Sequence, residues 1–220
     1  MRFHAVLFDL DGTLLDTLED LADSTNAALR AQGFPEHPVA AYRYFIGDGV
    51  EALVRRALPP EHLDAATLTR SAELMRGEYS ARWADKTHPY PAVPDLLDAL
   101  TDRGLPMAVL SNKPDDFTRL CVARLLPRWR FAVVLGAGVG LPKKPDSAAA
   151  RHIAAQWHLP AAEIVYLGDT NTDMQTAVAA GMYAVGALWG FRTASELTAS
   201  GAQVLLKQPT DLLRLLDDVA

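Results

Sequence analysis

Short runs of apolar residues alternate along the chain with longer stretches in which apolar positions recur every three or four residues. The first pattern predicts strands covered on both faces, the second amphipathic helices. Strands are expected at residues 4–10, 105–110, 131–135, 164–167, 182–187 and 203–206. Helices are expected at 93–103, 115–125, 146–157 and 171–180, with Gly104 and Gly181 as stops. This alternation predicts an α/β fold, a doubly wound and mostly parallel Rossmann-like sheet.

One region breaks the alternation. Residues 17–87 contain no convincing strand. Leu14, Leu18, Leu21, Ala28 and Leu29 recur at helical spacing, and further helices are expected at 50–58 and 65–84. So much helix after the first strand exceeds a simple crossover, so residues 17–87 are expected to form an inserted helical cap domain. Residues 1–16 and 88–220 would then form the core, with His88-Pro89-Tyr90-Pro91 as the return linker.

Composition narrows the function classes. The 220 residues are 50% hydrophobic and 22% charged, the balance of a chain that folds around a core. A net charge of −6 argues against bulk affinity for nucleic acid or an anionic membrane surface. The single cysteine, Cys121, excludes an intrachain disulfide framework and a Cys-cluster zinc site, which suits a reducing compartment. Asp9 and Asp11 interrupt the N-terminal apolar stretch, so no secretory leader is expected. The 18 uncharged residues from 174 to 191 contain Gly181, Gly186 and Gly190 and read as helix end, stop and buried strand, not as a membrane span. A cytoplasmic protein, monomeric or homodimeric, is expected.

The chemistry is concentrated where predicted strands end. Asp9-Leu10-Asp11-Gly12-Thr13 directly follows the first apolar run. Ligands of an open parallel sheet bind beyond the carboxyl ends of its strands. Two carboxylates two residues apart on an extended chain point the same way and repel, so they need a shared proton or a cation. Gly168-Asp169-Thr170-Asn171-Thr172-Asp173 follows a second buried strand and opens a helix, where the dipole favours negative charge. Up to four carboxylates would converge, a natural bed for a hard divalent cation such as Mg²⁺. Ser111-Asn112-Lys113 offers a hydroxyl and backbone N–H groups at a strand-to-helix turn, fit for phosphate oxygens. Lys144, fixed by Pro145 before a helix, fits an anion clamp; its neighbour Lys143 reads as a surface charge. The six histidines lack metal-ligand spacing and read as structural.

In this order, Asp9-x-Asp11-Gly12-Thr13, Ser111-Asn112, Lys144-Pro145 and Gly168-Asp169-x-x-x-Asp173 resemble the four motifs of the haloacid dehalogenase-like superfamily. The helical insertion is similar to its C1-type cap. Residues 45–49, 111–114 and 188–192 resemble the phosphoglycolate phosphatase family within it. The resemblance implies an Mg²⁺-dependent phosphate monoester hydrolase working through an aspartyl-phosphate, with 2-phosphoglycolate as substrate. Asp9 would be the nucleophile and Asp11 the acid and base. Mg²⁺ would be held by Asp9, Asp169 and the backbone carbonyl of Asp11, with Asp173 behind it holding the metal or its waters. Thr13, Ser111, Asn112 and Lys144 would bind the phosphoryl group. Asp11 argues against the dehalogenases of similar fold, which attack carbon. Another small-metabolite phosphatase and a β-phosphoglucomutase-like phosphomutase remain open. A phospho-acceptor signalling module is opposed by the insertion and by the position of Asp9.

The substrate would be a small phosphorylated metabolite, its leaving group chosen by the cap. Gly47 and Gly49 flank a loop opening onto a predicted helix N-terminus, a place for a substrate carboxylate, and Arg43 precedes it.

Overall fold

A computed structural model of the chain describes residues 3–218. Its strands are β1 (Ala5–Phe8), β2 (Leu15–Asp16), β3 (His88–Pro89), β4 (Met107–Pro114), β5 (Val133–Ala137), β6 (Ile164–Gly168), β7 (Tyr183–Ala187) and β8 (Val204–Leu206). Its α-helices are α1 (Leu18–Arg30), α2 (Tyr42–Phe45), α3 (Val50–Ala57), α4 (Ala65–Arg82), α5 (Val93–Asp102), α6 (Asp115–Leu125), α7 (Ala148–Trp157), α8 (Asn171–Ala180), α9 (Ala194–Ala199) and α10 (Asp211–Asp218). The chain divides into two compact units. One runs through Leu15 and resumes at Pro89; the other is Asp16–His88.

In the first unit, six strands form one sheet in the order β5-β4-β1-β6-β7-β8, every neighbouring pair parallel. All four residues of β1 and all five of β6 are buried, as strands with neighbours on both edges and cover on both faces require. Ala5, Leu7 and Tyr166 pack with Ile153 of α7 and Met174 and Ala177 of α8 in one continuous core. From β1 the chain moves to β4 on one side, and from β6 it moves to β7 on the other. The crevice between the carboxyl ends of β1 and β6 is therefore the switch point of the sheet, the place such folds offer to a ligand. The register Phe8↔Leu167 brings the residues after β1 and β6 out side by side, and the Asp9 N–H donates to the Leu167 carbonyl at 2.9 Å.

Several boundaries depart from the sequence expectation. The strand expected to stop at Leu110 continues as β4 through Pro114, with an irregular register between Leu110 and the pairing Pro114↔Ala137. Ser111-Asn112-Lys113 therefore lies on a strand end and not in the turn after it. Leu14 is not in a helix: residues 12–15 fold into a turn whose N–H groups at Leu14 and Leu15 donate to the Leu10 carbonyl, and α1 begins at Leu18. Asp146 precedes α7 and accepts from the Ala148 N–H at 2.7 Å. Gly104 and Gly181 do end α5 and α8, with φ of 66° and 79°.

The second unit is helical. α1 packs on α4, and Leu21, Ala22, Ala28 and Leu29 supply its buried face. Asp20, buried at the start of α1, accepts from the N–H groups of Lys86 and Thr87 and from the Thr87 hydroxyl, which ties residues 86–87 to that helix. Among the described residues, no helix is long and apolar enough to cross a membrane.

Candidate active site

The site lies within the first unit and is assembled from strand ends. Asp9 follows β1, Asp169 follows β6, and Asp173 sits in the first turn of α8. Each offers a carboxylate oxygen within 4.8 Å of the others, and all three residues are buried. Lys144, carried by the loop after β5, reaches into the cluster. Its Nζ donates to Asp9 Oδ1 at 2.7 Å, Asp173 Oδ1 at 2.6 Å and the Leu110 carbonyl at 3.0 Å, which uses all three ammonium hydrogens. Asn112 fixes that loop: its side chain donates to the Lys144 carbonyl and accepts from the Lys144 N–H, at 3.0 and 2.8 Å.

Asp173 performs two tasks. Its Oδ2 accepts from the N–H and hydroxyl of Thr170, closing a capping box at the start of α8. Its Oδ1 faces Lys144 and the Tyr166 hydroxyl, the latter at 3.3 Å. Asp169 is held as closely. Thr13 Oγ1 donates to Oδ1 at 2.9 Å and the Phe191 N–H to Oδ2 at 2.8 Å. Two glycines make room for it. A Cβ on Gly190 would lie 2.2 Å from Asp169 Cβ, and one on Gly12, whose φ is +89°, 2.3 Å from Asp169 Oδ2. The resemblance at residues 188–192 thus has a physical basis, since that segment wraps Asp169.

Burial raises the Asp9 carboxyl well above the usual range, and the charge of Asp173 adds to this against the opposing pull of Lys144. Asp169 is pushed up to about 7, by burial first and then by Asp173, with the Phe191 N–H and Thr13 opposing. Burial draws the Lys144 ammonium down, but the charges of Asp173 and Asp9 outweigh it and hold its pKa above the ordinary lysine value.

Asp11 stands apart from this cluster. Its two carboxylate oxygens lie 2.9 and 3.0 Å from the Nζ of Lys113, a buried lysine against a half-buried carboxylate. The repulsion expected between Asp9 and Asp11 is met by giving each its own lysine. Lys113 and Phe191 stand in motifs the sequence singles out, but no role is expected there for the Lys113 ammonium or the Phe191 N–H. A lysine directly after Ser-Asn is the one signal that could have found the first; a backbone donor leaves none. Ser111 is buried and its Oγ accepts from the Lys113 N–H at 3.2 Å, while Lys143 is exposed.

In the other unit, Arg43 lies exposed on α2. Gly47 and Gly49 adopt φ of 126° and 89° before α3, and Arg56 of α3 donates to the Phe45 carbonyl and pairs with Asp48.

Fold and site together define a doubly wound α/β protein with a buried carboxylate cluster at its switch point and a helical unit inserted after the first strand. A family model described as haloacid dehalogenase-like hydrolase matches residues 6–187, and the chain belongs to that family. It is 34% identical over 214 residues to a phosphoglycolate phosphatase of Xanthomonas campestris pv. campestris, covering 96% of each chain. It is 32% identical to one of Photobacterium profundum, covering 94% of this chain and 93% of that one. A solved structure from Lactobacillus delbrueckii subsp. bulgaricus matches with a TM-score of 0.90 at 29% identity, covering 98% of this chain and 99% of that one.

Proposed function

We propose that the protein is an Mg²⁺-dependent phosphate monoesterase acting on 2-phosphoglycolate. The observation that carries this reading is the convergence of Asp9, Asp169 and Asp173 around Lys144 in a chain of this family. The residues fit a hard dication. The four carboxylates of Asp9, Asp11, Asp169 and Asp173 meet the ammonium groups of Lys113 and Lys144, and Asp9, Asp169 and Asp173 bring carboxylate oxygens close together. Asp9 and Asp169 would hold the ion with the backbone carbonyl of Asp11, and Asp173 would orient it from behind. When bound, Mg²⁺ supplies charge neutralisation at the phosphoryl oxygens.

Asp9 attacks phosphorus, forming an aspartyl-phosphate as the ester oxygen departs. Asp11 gives its proton to that oxygen and takes one back from the water that opens the acyl phosphate. Lys144, the Ser111 hydroxyl and the Asn112 N–H stabilise the charge on the transferring group. Thr13 holds Asp169 in register through its hydroxyl. The substrate is a small phosphorylated metabolite, and the names of the relatives point to phosphoglycolate. Residues 17–87 act as the cap that selects the leaving group, with Arg43, Gly47 and Gly49 as its candidate contacts.

The test is turnover of a metabolite panel at fixed Mg²⁺, comprising phosphoglycolate, sugar phosphates, nucleotides and pyrophosphate. Phosphoglycolate is expected to give the highest kcat/KM. A sugar phosphate or nucleotide well ahead of it would reassign the substrate.

A further inference from the structure

Lys113 is a buried cation that the reaction above leaves without a task. Its side chain is 3% exposed, and its Nζ meets both oxygens of Asp11. Its backbone is pinned on both sides. The N–H donates to Ser111 Oγ at 3.2 Å, and the carbonyl accepts from the Thr118 hydroxyl at 3.1 Å. Lys144, by contrast, has all three hydrogens committed to Asp9, Asp173 and the Leu110 carbonyl.

If Asp11 serves the ester oxygen, that oxygen lies within about 3 Å of it. The Lys113 ammonium, 2.9 and 3.0 Å from the Asp11 oxygens, then stands within about 6 Å of the ester oxygen, on any arrangement around Asp11. A carboxylate one carbon beyond the ester oxygen is within reach of the same space. A carboxylate brought into that partly buried space needs a cationic partner. Lys113 meets both oxygens of Asp11; once Asp11 carries the proton it gives to the ester oxygen, a single contact suffices there and the ammonium can turn to the substrate carboxylate.

We infer that Lys113 reads the leaving group, selecting phosphate monoesters whose alcohol carries a carboxylate one carbon from the ester oxygen by sharing its ammonium between that carboxylate and Asp11. This rests on the phosphatase reading and deepens it.

The experiment compares phosphoglycolate with 2-hydroxyethyl phosphate, in which a CH₂OH group replaces the carboxylate, at saturating Mg²⁺. In the wild type, kcat/KM is expected to favour phosphoglycolate by about tenfold or more, the worth of a charge-assisted contact. Lys113→Met should bring the ratio to about one, chiefly through a raised KM for phosphoglycolate. Lys113→Arg should keep most of it. Lys113→Gln, which still donates to Asp11, should lose the ratio and serves if the methionine variant does not fold. A ratio unchanged in Lys113→Met or Lys113→Gln, with both esters slowed alike, would reduce Lys113 to a support for Asp11 and overturn the inference. So would a wild type that hydrolyses both esters equally. A wild type that hydrolyses neither rejects the phosphatase reading, and this inference with it.

Discussion

Lys144 and Lys113 stand at neighbouring strand ends and are equally buried, at 3% exposure, yet they sit in opposite electrostatic settings. Lys113 pairs with both oxygens of Asp11, one ammonium to one carboxylate. Lys144 faces Asp9 and Asp173, with Asp169 beside them, and that cluster carries more negative charge than one ammonium can offset. The imbalance is why burial and mutual repulsion raise Asp9 and carry Asp169 to about 7. The unbalanced cluster needs protons or a cation and is the proposed seat of the nucleophile and the metal, whereas the Lys113–Asp11 pair is proposed to serve the leaving group.

The largest expected effect comes from breaking the unbalanced side at its reactive member. Asp9→Asn should lower turnover by roughly 10⁴-fold or more with the far-UV spectrum unchanged, as loss of a nucleophile does. Substantial residual hydrolysis by a purified, folded variant would remove Asp9 from that role. Lys144→Met strips the cluster of its cation. It should destabilise the protein by about 3–5 kcal/mol in chemical denaturation, because charged carboxylates are left buried and unpaired. A change under about 1 kcal/mol would mean that the cluster is not as dry as its burial implies.

Acid–base linkage sharpens the same contrast. Asp169 has a folded pKa raised to about 7, so the metal-free protein retains a proton that the unfolded chain releases near 3.8. That contribution to stability is full below 3.8 and is lost as pH rises through 7. A cation must displace this proton, and the one that the raised Asp9 carboxyl holds, so apparent Mg²⁺ affinity should rise about tenfold or more per pH unit below 7. Calorimetric titration from pH 5 to 8 measures this; a flat profile would sever Asp169 from metal binding. The smallest effect is expected at the cap of α8. Thr170→Val removes one half of the capping box and should cost about 1 kcal/mol in a thermal melt, with little change in kcat, because Lys144, the Tyr166 hydroxyl and the backbone N–H at position 170 still hold Asp173.

How much of this was legible in the sequence follows from what each feature depends on. Strand-end carboxylates are written into residue order, because an Asp directly after a buried run emerges at the edge of the sheet. Asp9 and Asp169 could therefore be placed before any coordinates, and the parallel sheet with them. Lys113 could not be paired with Asp11, since the two are 102 residues apart and a lone lysine has no periodicity. The hold of the Phe191 N–H on Asp169 was equally hidden, because every residue but proline carries that donor. Ser111-Asn112-Lys113-Pro114 reads as a turn by composition, yet β4 runs on through it, and Pro114 pairs with Ala137 of β5 beyond an irregular register. Local propensity gave way there to a tertiary contact.

The most direct test of the central claim is a crystal of the protein grown with Mn²⁺ in place of Mg²⁺, phased at the manganese edge. A single anomalous peak about 2.1–2.2 Å from carboxylate oxygens of both Asp9 and Asp169 is expected. Peaks elsewhere, or an Asp9–Asp169 site that stays empty at millimolar Mn²⁺ while the purified enzyme turns over, would contradict it.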